Sequence, residues 1–199
     1  MSGRSFTLLQ LAEDLPVLYA AARAPAAQES DSRSFWTALL TAWAQLSGKA
    51  IRIDTEQPPQ QDPEPEYRLI RIDITADAFH ESTKWRFHLI ICQAKGHNAR
   101  SSRYNDVESQ VHRDCEAWLK ERGNMPGSVY AMCTVGTACR MFRASIERDD
   151  EPWVPMWHAQ GFLDADANAA DPDRGATLWG ALQETLARSP LPIADKSYM

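Results

Sequence analysis

The sequence predicts an α/β domain in which a mixed central β-sheet is flanked by helices. Three observations point that way. Apolar residues recur at helical spacing before residue 48 and again from 175 to 189; alternation of period two takes over between residues 67 and 95; and an amphipathic helix separates that strand pair from a second pair at 128–146. With 199 residues, 44% of them apolar, the chain can bury a core of ordinary size. The expected organisation is a single domain over residues 1–199, with a core of about 33–146, an aromatic segment and helix over 147–189, and a tail at 190–199.

The elements follow in order. "FTLLQLAEDLPVLYAAARA" reads as an amphipathic helix bent or broken near Pro16, because a proline ring removes a backbone donor and crowds the preceding turn. "APAAQESDS" reads as the linker after it. The next helix, "SFWTALLTAWAQLSG", carries Phe35, Leu39, Leu40, Trp43 and Leu46 on one stripe, with Gly48 where a C-terminal cap belongs. A short strand at 50–55 leads into "EQPPQQDPEPE", whose four prolines and polar neighbours suit an exposed loop.

In "YRLIRIDITADAF" the alternation puts Ile70, Ile72, Ile74 and Ala76 on one face and Leu69, Arg71, Asp73, Thr75 and Asp77 on the other. "HEST" supplies a turn, and a strand over 84–95 follows with Trp85, Phe87, Leu89, Ile91, Gln93 and Lys95 on one side. The helix after it buries Val107, Val111, Cys115 and Trp118, with Gln110 and Asp114 flanking the stripe, either at the edge of a site or, for Asp114, on the solvated side that the pattern favours. Strands at 128–136 and 138–146 complete the sheet. Trp153, Trp157, His158 and Phe162 read as packing residues at a sheet edge, and the final helix presents Leu178, Trp179, Leu182 and Leu186 to the core.

Composition narrows the function classes. A net charge of -6 argues against a protein held to nucleic acid by a broad basic surface. In the N-terminal apolar run Glu13 and Asp14 interrupt what would have to be a signal peptide or membrane anchor, so the expectation is an intracellular protein, cytoplasmic or nuclear, with no membrane association. Cys92, Cys115, Cys133 and Cys139 form no CxxC pair and sit in apolar or helical contexts, which suits reduced packing residues better than disulfides or a zinc site.

Chemistry concentrates where the second long strand ends. A hairpin turning around Ser82 and Thr83 sets Asp73 opposite Gln93, where paired side chains have Cβ atoms roughly 4.5–5.5 Å apart. A carboxylate beside an amide oxygen can hold a hard cation such as Mg²⁺, and a lysine one pleat further along can orient water or offset charge on a phosphate. Lys95, Arg100 and Arg103 make a short basic patch, with His97 beside it, that favours an anionic ligand. The same residues also fit a plainer account: Asp73 as an ion-pair partner of Arg71 or Lys95, and Gln-x-Lys as a strand emerging into water.

A strand bearing Asp73, a hairpin, a strand ending Gln93-Ala94-Lys95, the helix "YNDVESQVHRDCEAWLKERG" and the strand pair "SVYAMCTVGTACRMFRAS" together resemble the core of the PD-(D/E)xK nuclease-like superfamily, in its fungal-type branch. The resemblance covers residues 67 to about 145. It implies a restriction-endonuclease-like core and hydrolysis of phosphodiester bonds. The catalytic residues would be Asp73, Gln93 and Lys95, with Asp73 and Gln93 holding Mg²⁺ or Mn²⁺ and Gln110 joining His97, Arg100 and Arg103 as substrate-binding residues. Nucleic acid is then the expected partner. The sequence departs from the pattern twice: Gln93 is neutral where an acid is usual, and "SFWTALLTAWAQLSG" has no acid where many active members carry a Glu. Glu29, Asp31, Asp54 and Asp77 are the available substitutes. These departures support an alternative: a catalytically silent or repurposed member, acting as an interaction module with a protein partner or as an enzyme on a small organic molecule.

Overall fold

The computed structural model describes residues 7–57, 71–80, 85–97, 102–122, 128–145, 153–157, 161–165 and 172–187. A mixed seven-stranded sheet runs through it, and helices cover both faces. The elements are a 3-10 turn at Leu8–Gln10, α1 (Leu15–Arg23), α2 (Glu29–Leu46), β1 (Ile51–Gln57), β2 (Ile72–His80), β3 (Trp85–Lys95), α3 (Ser102–Arg122), β4 (Ser128–Val135), β5 (Ala138–Ser145), β6 (Trp153–Pro155), β7 (Leu163–Asp164) and α4 (Pro172–Ala187). Strand order is β1-β2-β3-β4-β5-β6, with β7 pairing on β5. The only parallel pairing among these strands is β3 with β4, and α3 makes the crossover that such a pairing requires.

Two cores lie on opposite sides of the sheet. α1, α2 and α4 pack over Ile74, Ala76, Ala78, Ile90, Cys92, Tyr130, Met132 and Met141. On the other side Val107, Val111, Cys115 and Trp118 of α3 pack over Ile91, Val129, Ala131, Cys133 and Phe142. The four cysteines are buried and unbridged, divided between the two cores.

The first helical run is broken near Pro16, as expected: the 3-10 turn at Leu8–Gln10 gives way to α1 at Leu15, and Pro16 stands in its first turn, where its missing N–H has no partner to lose. Elsewhere several local expectations need correction. The proposed linker is partly helix, because α2 begins at Glu29: the Asp31 carboxylate accepts the Gln28 N–H at 2.7 Å, and the acidic first turn suits the positive end of the helix dipole. Leu46 is exposed at the last turn of α2, while Phe35, Leu39, Leu40 and Trp43 are fully buried. Gly48 takes a φ of 65°, the left-handed conformation that ends helices. β1 runs on to Gln57, past the point where the loop was expected. Ile72 joins the α3-side core rather than sharing a core with Ile74 and Ala76, and Leu69 and Ile70 lie outside the described residues.

In β3 the alternation is interrupted. Ala76 pairs with Ile90 but Asp77 pairs with His88, so Leu89 is an extra residue, a β-bulge. Leu89 therefore joins Ile90 in the α2-side core, and His88 takes the α3 side, against Trp118 at 5.6 Å between rings. There its Nδ1 meets the buried Asp77 carboxylate, whose other oxygen accepts the Thr75 hydroxyl at 3.1 Å. A strict period of two would put Leu89 on that side instead.

Beyond the bulge, two glycines join the far end of β3 to α2. The Gly136 N–H donates to the Lys95 carbonyl at 2.8 Å, and the Gly136 carbonyl accepts from the Ser32 hydroxyl at 2.8 Å and the Trp36 indole at 2.9 Å. Gly96 presses against the start of α2, where an added Cβ would lie 2.7 Å from the Ala27 oxygen and 3.0 Å from the Gln28 carbonyl carbon. Both are backbone atoms that a side-chain rotation cannot move. Gly96→Ala is therefore expected to cost about 1–3 kcal/mol, as overpacking does. Denaturant unfolding checks this, and an unchanged midpoint would show that the approach is looser than described.

Candidate functional site

The backbone pairing of β2 with β3 runs as far as Ile74 and Cys92, and its register, continued one residue, sets Asp73 opposite Gln93. From that point side chains bridge the two strands. The Ala94 N–H donates to Asp73 Oδ2 at 2.7 Å, and Gln93 Nε2 donates to the Arg71 carbonyl at 3.0 Å. Each bond satisfies a backbone group at the strand ends, and each fixes the side chain that makes it. Asp73 is 8% exposed and Gln93 is fully buried, so neither is a solvated strand-end residue.

Lys95 extends toward α2, where its ammonium meets Glu29 Oε2 at 3.1 Å. That contact follows from the earlier helix start, which turns Glu29 from a linker residue into a first-turn helical residue beside Gly96. Arg33, one turn later, pairs with Glu56 at 2.9 Å. Of the other substitutes, Asp31 caps α2, Asp54 pairs with Arg52 at 2.8 Å, and Asp77 is held by His88. Glu29 is the one that reaches Lys95.

The largest departure from the sequence reading concerns α3. Asp114 is not solvated; it is fully buried, and its Oδ2 accepts a hydrogen bond from Gln93 Nε2 at 2.6 Å. Gln110, one turn earlier, is half-buried, and the helical residue that meets Gln93 is Asp114. A sequence signal existed: Val107, Val111, Asp114 and Trp118 follow the 4-3-4 spacing of a buried stripe, with the acid inside it. His97 is exposed just past Gly96, beside Gly136. Arg100 lies outside the described residues, as does the side chain of Arg103.

Electrostatics join these groups. Burial pushes the Asp73 carboxyl above its ordinary value, opposed by the Ala94 N–H, while Glu29 raises it further and Lys95 and Arg33 lower it. Burial pushes Asp114 up to about 6; the Gln93 hydrogen bond and Arg113 oppose this, and the Asp73 charge adds to it. The four thiols are held protonated by burial, which leaves them poor nucleophiles and poor metal ligands.

The donor set suits a hard cation in part. Gln93 Oε1 and Asp114 Oδ1 are buried oxygens without a hydrogen-bond partner, within reach of the Asp73 charge. Among the described residues no three His, Cys, Asp or Glu side chains gather into a metal cage. Mg²⁺ asks for less than a cage, since it takes one or two carboxylates and keeps several waters. Among the described residues no helix is long and apolar enough to cross a membrane. Compared with models of protein families, with curated proteins and with solved structures, the chain matches none.

The raised Asp114 carboxyl has a definite pH signature in metal-free buffer. Between pH ~4 and ~6 the folded chain keeps a proton that the unfolded chain has released, so this group's contribution to stability falls as pH rises through that window. Asp114→Asn is expected to flatten that part of the profile and to raise stability at pH 7 by up to about 3 kcal/mol. Urea unfolding at a series of pH values, with chelator present, measures both. Equal slopes in the variant and the parent would place the burial penalty elsewhere.

Proposed function

We propose that the protein is a divalent-metal-dependent, nuclease-like hydrolase acting on phosphodiester bonds at Asp73, Gln93 and Lys95. The observation that carries this reading is that the Gln93–Asp114 pair, the Lys95–Glu29 pair and Asp73 on the Ala94 N–H gather at the end of β3, where Glu29 and Lys95 act on the Asp73 charge. Such a grouping of buried oxygens and one ammonium is what phosphate chemistry needs. Bound there, Mg²⁺ or Mn²⁺ would supply Lewis acidity toward a phosphate oxygen. Asp73 and Gln93 would hold it through oxygens already fixed by their backbone hydrogen bonds. Lys95 sits on a rigid strand end, where its ammonium can exchange Glu29 for a phosphate oxygen or an attacking water. His97, exposed past Gly96, and Arg100, Arg103 and Gln110 are proposed to contribute to binding an anionic ligand.

One observation favours the rival reading of a silent or repurposed fold, with a protein or small-molecule partner: Gln93 and Asp114 are both fully buried, and a substrate must reach a metal before it is cleaved. The two readings part on activity. In assays on plasmid, single-stranded DNA and RNA with Mg²⁺ or Mn²⁺, the proposed enzyme cleaves at least one, and Lys95→Ala lowers turnover by about 10²–10⁴-fold. The stability of that variant should change by at most about 1 kcal/mol, because the Lys95–Glu29 pair is partly exposed. Absence of cleavage by the parent chain on every nucleic acid would sink the nuclease reading.

A further inference from the structure

The acid missing from position 93 has a counterpart across the core. Gln93 and Asp114 form one hydrogen-bonded pair, both residues have no exposed surface, and each keeps one oxygen, Gln93 Oε1 and Asp114 Oδ1, that no protein group satisfies. The amide orientation is well determined. Gln93 Nε2 donates both to Asp114 Oδ2 and to the Arg71 carbonyl, so exchanging its nitrogen and oxygen would set an oxygen against two acceptors. A buried carboxylate with an idle oxygen is costly, and an idle amide oxygen in the same pair adds to the cost. Such a pair is relieved by a cation that takes oxygen ligands.

Resting on the reading of this site as metal-dependent, we propose that Asp114 is the acidic ligand of a Mg²⁺- or Mn²⁺-class cation, held together with Gln93 Oε1 and Asp73. The negative charge usual at position 93 is thus delivered from α3 instead of from β3. The same geometry explains why position 93 is neutral. A glutamate there would set a second carboxylate against Asp114, and two buried carboxylates at hydrogen-bond distance share one proton. The pair would then carry the same single charge as the present amide and carboxylate, without the N–H that holds Arg71.

The test exchanges the charge between the two positions. The intact chain, Asp114→Asn, Gln93→Glu and the double variant Gln93→Glu/Asp114→Asn are titrated calorimetrically with MnCl₂ and MgCl₂, and their melting is compared in metal and in chelator. The parent is expected to bind and to be stabilised by metal. Asp114→Asn should weaken binding by about 10- to 100-fold or more, since even outer-shell partners of a metal are worth that much. It should stay folded, because its amide oxygen can still accept from Gln93 Nε2. The double variant, with its carboxylate on the strand, should recover most of the lost affinity, and it carries the comparison if Asp114→Asn alone folds poorly. Equal affinity in the parent and Asp114→Asn, or no recovery in the double variant, overturns the assignment of Asp114 and leaves the metal-dependent reading standing. A parent chain that binds neither metal at millimolar concentration overturns that reading itself, and the assignment with it.

Discussion

At Gly96 and Gly136 the backbone of one segment touches the backbone of another with no side chain between them. Through these contacts the end of β3, the turn between β4 and β5 and the first turns of α2 become one rigid corner. The Gly136 carbonyl, accepting from both Ser32 and Trp36, ties the corner to the helix, and its N–H ties it to Lys95. Gly136 itself sits at φ 58°, where a side chain would be strained as well as crowded by His97. Everything placed at the candidate site inherits its position from this corner. Lys95 is delivered to Glu29 because Gly96 lets strand and helix approach within one atom's width, and Asp73 is delivered to Ala94 because β3 is held in register there.

The candidate site residues are also structural. Asp73 and Gln93 take over from backbone pairing where the β2–β3 ladder ends: Asp73 satisfies the buried Ala94 N–H, which would cost about 1–3 kcal/mol if left alone, and Gln93 donates to the Arg71 carbonyl. Loss of either side chain therefore weakens the fold and the site together, whereas Lys95, bonded only at its partly exposed tip, can be removed with little effect on folding. The division follows burial: inside the sheet a polar group must be satisfied to be tolerated, and satisfying it makes it part of the scaffold.

Other polar groups in and around the sheet find partners by other means. Asp77 is satisfied by His88 and Thr75 on the α3 side, in a pairing that exists because Leu89 bulges out of the ladder. Asp164 accepts from Tyr19 and Thr137, joining α1 to the β5–β7 end of the sheet. Along the same edge, at the other end of β5, the His112 ring stacks on Trp153 at 3.8 Å while Arg140, paired with Glu108, lies over Phe142. Trp153 thus closes a sheet edge, as expected of an aromatic in a connecting segment. Gln93 Oε1 and Asp114 Oδ1 differ from these in being two unmet buried oxygens on one hydrogen-bonded pair.

The sequence by itself determined the fold class, both strand pairs, the buried stripe Val107–Val111–Cys115–Trp118 and the register that pairs Ile74 with Cys92. All of these rest on periods of two and 3.6 that a local pattern records directly. It did not determine where α2 begins, because nothing local distinguishes an acidic linker from an acidic first turn until the Asp31 carboxylate is seen on the Gln28 N–H. It did not reveal the bulge at Leu89, since a one-residue insertion in a ladder depends on what the partner strand offers. Asp114 shows the limit most sharply. Its spacing belonged to the buried face, but an acid there is tolerable only with Gln93 opposite, and the two are 21 residues apart. Only the parallel crossover from β3 through α3 to β4, which lays the helix back across the strand, brings that carboxylate to that amide.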